Sequence, residues 1–290
     1  MRLRLGTLCL FENPSGEDGR ALIRQFVLAR EADRMGYDDI WLAERHGDAY
    51  RPSGAITTLL GHLSGVTSKA RIGVVLQPQG RDAAQLAEDL ATVELLSRGR
   101  LALAADVQDA VSADTGMDAL GVLQARLGGA PGELVPRPSG EPPPAWVVTG
   151  QADAVRGAAR RGLRLWLPPG LTVETVSALL KLYRDAAREE GHAAAPAPQL
   201  TRYACPAATR DDAWAIARPY LEARLGPDNI DVVLAQSLVG SHAEVAAQIR
   251  RLEAELGLHG VVIVPMSAHF DTAKHILADM VDEVRPLLED

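Results

Sequence analysis

Glu44, Arg45 and His46 set a carboxylate, a guanidinium and an imidazole directly behind the apolar run Ile40 to Ala43. An imidazole ordinarily titrates near 6.5, so His46 is the leading candidate for a general base, or for a hydrogen-bond donor to a ring or an oxyanion. The same position also suits a polar residue that fixes the loop behind a strand. A second stretch, Val148 to Asp153, ends another apolar run and opens a helical pattern. Gly150 permits close backbone approach, and the free N–H groups of a first helical turn near Gln151 to Asp153 suit an anion such as phosphate. An ordinary strand-to-helix turn, with Asp153 complementing the helix dipole, has the same appearance.

Other chemistries leave no trace. There is no G-x-S-x-G elbow, G-x-x-x-x-G-K-[ST] phosphate loop, G-x-G-x-x-G fingerprint or H-E-x-x-H pair. The histidines at 46, 62, 192, 242, 259, 269 and 275 contain no i, i+4 pair, and Cys9 and Cys205 stand far apart, so no metal site and no disulfide framework is expected. A net charge of -8 argues against a broad nucleic-acid-binding face, which needs clustered Lys and Arg. No apolar run approaches the roughly 20 residues of a membrane span, and Leu5 to Phe11 is too short and too interrupted for a secretory core. A soluble protein of a reduced cytoplasm is expected.

The elements that must position these residues alternate. Leu22, Phe26, Ala29, Ala32 and Met35 recur at helical spacing and stop at Gly36; the strand Asp39 to Ala43 follows, apolar on both faces as parallel strands covered by helices are. The same rhythm predicts strands at Leu3–Leu10, Arg71–Leu76, Leu101–Ala105, Ala145–Val148, Leu163–Leu167, Leu200–Cys205 and Gly260–Val264. Helices are predicted near 55–66, 83–96, 152–161, from Thr172, from Thr209, after the S-x-x-E capping box Ser241/Glu244, and over 271–288. Eight strand–helix units over 290 residues with 47% hydrophobic composition specify an α/β fold, a closed (β/α)8 TIM barrel, as one domain over 1–290. Between strands four and five the rhythm lapses: 107–144 reads as an irregular Pro/Gly-rich insertion with a short helix around Ala119 to Leu127. In such a barrel the carboxyl ends of the strands carry the ligand site, which is where His46 falls.

Four segments, in order, resemble the bacterial luciferase-like monooxygenases, the flavin- and deazaflavin-dependent (β/α)8 enzymes. AREADRMGYDDIWLAERH (29–46) resembles the family's helix-Gly-[FY]-D-strand-AExH element, and ATVELLSRGRLALA (91–104) its LDxLSxGRxxLG stretch. PPPAWVVTGQADAVRGAARRGLRLWLPPG (142–170) is similar to its PPxxVxGxSPEAxxLAAxxGDGWxP region, and GSHAEVAAQIRRLEAELGLHGVVIVP (240–265) to its GSPEEVAERIxxLxxxG element. The resemblance implies reduced FMN, or the deazaflavin F420, bound at the strand ends, with His46 near the ring and Thr149, Gly150 and Gln151 near the phosphate. It also implies a small-molecule substrate, a separate flavin reductase as the source of reduced flavin, and a homodimer built on helices such as 55–66. Three departures stand out. Arg45 occupies the first place of the family's histidine pair; Ala105, Asp106, Val107 and Gln108 replace a glycine-bearing turn, setting a carboxylate where a cofactor phosphate would lie; and the loop region after strand four is shortened. The readings are therefore a flavin-dependent monooxygenase acting on a small organic molecule, for instance a secondary metabolite; an F420-dependent oxidoreductase; and a degenerate barrel that is cofactor-independent or a non-catalytic flavin-binding accessory.

Overall fold

The computed structural model describes residues 2–77, 80–107, 110–128, 134–138, 141–192, 195–225 and 230–289. The strands are β1 (Arg4–Cys9), β2 (Asp39–Ala43), β3 (Arg71–Leu76), β4 (Leu101–Asp106), β5 (Ala145–Val148), β6 (Arg164–Leu167), β7 (Gln199–Ala207), β8 (Leu238–Ser241) and β9 (Gly260–Pro265). The helices are α1 (Asp18–Met35), α2 (Ile56–Val66), α3 (Ala83–Ser97), α4 (Ala110–Leu127), α5 (Ala152–Arg160), α6 (Val173–Glu189), α7 (Arg210–Leu225), α8 (Ile230–Ala235), α9 (His242–Leu256), α10 (Phe270–Asp279) and α11 (Arg285–Glu289), the last two joined by a π-helical turn.

Strands β1 to β6 pair in sequence order and in parallel. Strand β6 pairs with β7, β7 with β9 and β9 with β1, which closes an eight-stranded parallel barrel, the expected (β/α)8 fold. The helix ends follow local chemistry. Gly36 takes φ 89° and donates to the carbonyls of Ala32 and Asp33 at the end of α1, and the Ser241/Glu244 capping box opens α9 as expected.

Two parts of the expected layout are corrected. Residues 110–127 form one long helix, so the first half of the stretch expected to be irregular over 107–144 is largely regular; the predicted helix near 119 began too late because the polar run before it hides an amphipathic face that buries Ala113, Met117, Leu120, Leu123 and Leu127. Gln108 and residues 129–133 and 139–140 lie outside the described residues. Between β7 and α9 the expected helix from Thr209, α7, is followed by two unexpected elements, α8 and the extra strand β8, which pairs with the upper part of β7 from Ala204↔Leu238 to Ala207↔Ser241. Four residues give too little alternation to announce a strand.

The barrel interior is filled by three indoles. Trp41 meets Trp146 edge-on at 5.4 Å and Trp166 at 4.6 Å between ring centroids, and Trp166 Nε1 donates to Thr201 Oγ1 at 2.7 Å. Small residues on the neighbouring strands make the room: a Cβ at Gly73 would fall 2.1 Å from the Trp41 ring. Below them Asp39 is sandwiched between Arg4 (2.9 Å) and Arg71 (2.5 Å), and the Arg71 guanidinium lies 4.9 Å over Trp146. With the centre packed and its lower end ionically closed, the rim at the strand carboxyl ends is left for a ligand.

Candidate functional site

Strand β2 brings its last residues to that rim. Glu44 N donates to Val75 O (3.0 Å), which extends the β2–β3 ladder by one residue and points the Glu44 side chain into fully buried space. Its carboxylate accepts from Gln77 N at 2.5 Å and Arg81 Nη1 at 2.7 Å, and Oε1 lies 3.0 Å from His46 Nε2. A carboxylate only accepts, so Nε2 is the donor in this contact and Nδ1 is the ring nitrogen left for a further partner. The His46 side chain is 57% exposed, although its strand end is rigid: buried Ser53 donates to Ala43 O at 2.7 Å, and Gly54 packs so close that a methyl there would lie 3.2 Å from Nδ1. An oriented, accessible imidazole backed by a buried carboxylate can hold or pass a proton.

Arg45 reaches across β3. Its Nη1 donates to Asp106 Oδ2 at 3.1 Å and to Glu44 O at 3.0 Å. The carboxylate at the end of β4 is therefore offset by a guanidinium, not presented bare, and its other oxygen, Oδ1, is buried without a partner among the described residues. The sequence-level residues Arg45, His46 and Asp106 thus meet in one cluster with Glu44 and Arg81. Arg81 carried no signal: it follows β3, and the pairing of β3 with β2 sets it against Glu44.

The second predicted group stands next to this cluster. Val107 N donates to Val148 O at 3.1 Å, so the ends of β4 and β5 are neighbours. Thr149 is fully buried and its Oγ1 accepts from Gln151 N at 3.1 Å. Gly150 faces Leu171 and Pro168 at ordinary contact distance, so its missing Cβ serves packing against the turn after β6. Gln151 is the exposed N-cap of α5 and makes no side-chain cap, which leaves the first-turn N–H groups without a side-chain acceptor from that position. Asp153 turns outward to Arg156 at 2.7 Å. The first turn of α5 thus has no side-chain cap from Gln151, and Asp106 at the neighbouring strand end is paired with Arg45.

The rim has an apolar side as well. Leu10, Ala43 and Val264 pack with Leu8 and Tyr203 as a small buried apolar cluster near the strand carboxyl ends. Above it Tyr220 donates to Glu12 Oε1 at 3.0 Å, Arg224 pairs with the same carboxylate, and the Arg224 guanidinium lies over the rings of Tyr203 and Tyr220. Burial raises the Tyr203 and Tyr220 hydroxyls above their ordinary pKa, so both stay protonated donors at neutral pH. Burial also pushes Cys9 and Cys205 up to about 12, which keeps them as inert thiols. Among the described residues no group of three or more His, Cys, Asp or Glu is arranged to hold a metal ion, and no helix is long and apolar enough to cross a membrane.

The fold is a closed (β/α)8 barrel, and comparison with known proteins finds similarity to luciferase-like proteins. The family described as luciferase-like monooxygenase matches residues 3–108, which include two of the four segments named above and the whole Glu44–His46 cluster. The uncharacterized protein YvbT of Bacillus subtilis strain 168 is 38% identical over 78 residues; that match covers 26% of this chain and 23% of the relative, so it spans less than a quarter of that protein's length. In three dimensions the chain is similar to the oxygenating constituent of 3,6-diketocamphane monooxygenase, a type II Baeyer-Villiger monooxygenase from the CAM plasmid of Pseudomonas putida solved with FMN (TM-score 0.84, 16% identity, 99% of each chain). It is also similar to an F420-dependent secondary alcohol dehydrogenase solved with an F420–acetone adduct (TM-score 0.77, 14% identity, 100% of each chain). The resemblance read from the sequence therefore holds, over the amino-terminal third in sequence and over the whole chain in fold.

Proposed function

We propose that this chain is an oxidoreductase of the luciferase-like type and, more specifically, a monooxygenase that oxidises a small organic molecule with O2 and reduced FMN. The observation that carries the reading is the buried Glu44 holding the exposed His46 at the end of β2, inside the matched residues 3–108. Reduced FMN, when bound, supplies the electrons that activate O2. The protein's own work is positional. The first turn of α5, with Thr149, Gly150 and Gln151, would anchor the phosphate; Leu10, Ala43, Val264 and Tyr203 would seat the ring and exclude water; His46 would hold or pass a proton at Nδ1 while Glu44 fixes its orientation and Arg81 offsets the Glu44 charge.

A separate flavin reductase would deliver the reduced cofactor. The active form is proposed to be a homodimer, supported by an apolar groove of about 490 Å3 between α1 and α2 lined by Leu22, Ile23, Phe26, Leu59 and Val66. F420-dependent hydride transfer is the second reading, favoured by the likeness to the F420-dependent alcohol dehydrogenase.

Titration with FMN, anaerobically reduced FMN, FAD and F420, followed by oxygen-uptake measurements, separates these readings. Tightest binding of reduced FMN with substrate-coupled oxygen uptake is the expected result. Tighter binding of F420 selects the hydride-transfer reading, and binding of none at high micromolar concentration leaves a cofactor-independent or accessory barrel.

A further inference from the structure

On the flank of the barrel, away from the β2–β5 rim, α6, β7, α7, α8, β8 and α9 enclose a cleft of about 570 Å3. Arg202 of β7 is part of its wall. Thr201 faces inward to Trp166, so its neighbour Arg202 projects outward beneath the helices, in register with Ile263. The residue is only 2% exposed. Its guanidinium donates to two carbonyls, Thr201 O at 3.2 Å and Leu171 O at 3.0 Å, and no carboxylate pairs with it among the described residues. Burial lowers its pKa to about 10, which still leaves it charged at neutral pH.

The remaining charges of the cleft are already answered. Arg210 pairs with Glu244, Arg251 with Glu255, Asp231 with Arg218, and Glu174 lies in the field of Arg251. Among the described residues Arg202 is left as a buried cation answered by backbone carbonyls and by no counter-charge. A second group in the same wall is also unanswered among the described residues: Gln248 Oε1 is buried with no partner. Opposite them the lining is apolar, with Leu234, Leu238 and the half-exposed Trp214. The volume lies within the range of small-molecule sites, roughly 300–1,000 Å3.

We propose that this cleft is a second binding site, separate from the rim, for a small carboxylate with an aromatic or apolar body: the carboxylate meets Arg202, and the body lies against Trp214 and Leu234. The proposal does not depend on the cofactor reading, since no residue of the Glu44–His46 cluster or of the α5 turn lines the cleft.

The test uses the full chain with benzoate and its neutral isostere benzamide. Trp41, Trp146 and Trp166 are buried in the barrel, so a change in accessible indole fluorescence reports Trp214. Benzoate is expected to change that emission and to bind at least about tenfold more tightly than benzamide, the scale of one charge-assisted contact. Arg202→Gln is expected to remove this preference, and Trp214→Phe to remove the fluorescence change while calorimetric binding persists. Equal binding of the two probes to the native chain, or no benzoate binding up to about 10 mM, overturns the proposal. So does an unchanged preference in Arg202→Gln. If that variant does not fold, Arg202→Lys, which keeps the charge and loses the forked geometry, must still weaken benzoate selectively; an unchanged preference there, too, overturns it.

Discussion

At the residue scale the candidate chemistry rests on how one buried carboxylate is satisfied. Glu44 is fully buried, and three donors meet its carboxylate: the Gln77 backbone, Arg81 and His46. His46 is thereby oriented without being buried, so its removal should cost function far more than stability. His46→Ala is expected to lower turnover with the cognate reduced cofactor by about 10²–10⁴-fold and to change unfolding free energy by no more than about 0.5 kcal/mol. Parallel kinetics and urea unfolding check this, and an equal loss of both would make His46 a loop anchor. His46 was legible in the sequence because a polar residue behind an apolar strand has a defined place in a barrel. The pairing of Arg45 with Asp106 was not: the two are separated by the whole β3–α3 unit, and each by itself looks like a departure from the family pattern, whereas together they form a neutral pair.

At the element scale the insertion between β7 and α9 is tied back to the barrel through Glu244. This residue closes the capping box of α9 and also accepts from Arg210 at the start of α7. Arg210 and the Ser241 backbone hold its carboxyl at about 2, against an ordinary value of 4.5. A folded-state pKa depressed in this way contributes stability above the unfolded value and loses it as pH falls through the folded one. The stability advantage of the native chain over Glu244→Gln is therefore expected to be constant above pH about 5 and to shrink between about 4.5 and 2. Thermal unfolding of both proteins over that pH series checks it; a gap independent of pH would mean that only the cap geometry matters. The capping box itself was readable from four residues. Its link to α7 was not, since Arg210 lies 34 residues away and nothing local selects it.

At the scale of the whole molecule, the groove between α1 and α2 concerns assembly. Ile23 is 68% exposed there, beside Phe26 and Leu59, and an apolar patch of this kind on a barrel's outer layer is proposed as the contact between two copies. Ile23→Glu is expected to convert a dimer to a monomer in size-exclusion chromatography with light scattering while leaving far-ultraviolet circular dichroism unchanged. A native chain that runs as a monomer at micromolar concentration would remove the proposal. The groove and the rim lie on different faces, so the variant should retain cofactor binding.

The eight barrel strands and most of their helices were determined by the sequence itself, because apolar periodicity, Gly36 and the Ser241/Glu244 box are local signals that act over one or two turns. The position of His46 at a strand's carboxyl end followed from the same reading. Tertiary structure alone decided the rest. Curling of the sheet into a barrel fixed the indole packing of Trp41, Trp146 and Trp166, the side-by-side pairing of β2, β3 and β4 brought Arg81 to Glu44 and Arg45 to Asp106, and the packing of helices over β7 left Arg202 buried without a carboxylate among the described residues. Electrostatic partners are chosen by distance in space, and in a barrel that distance is set by which strands become neighbours, a property that no short window of sequence contains.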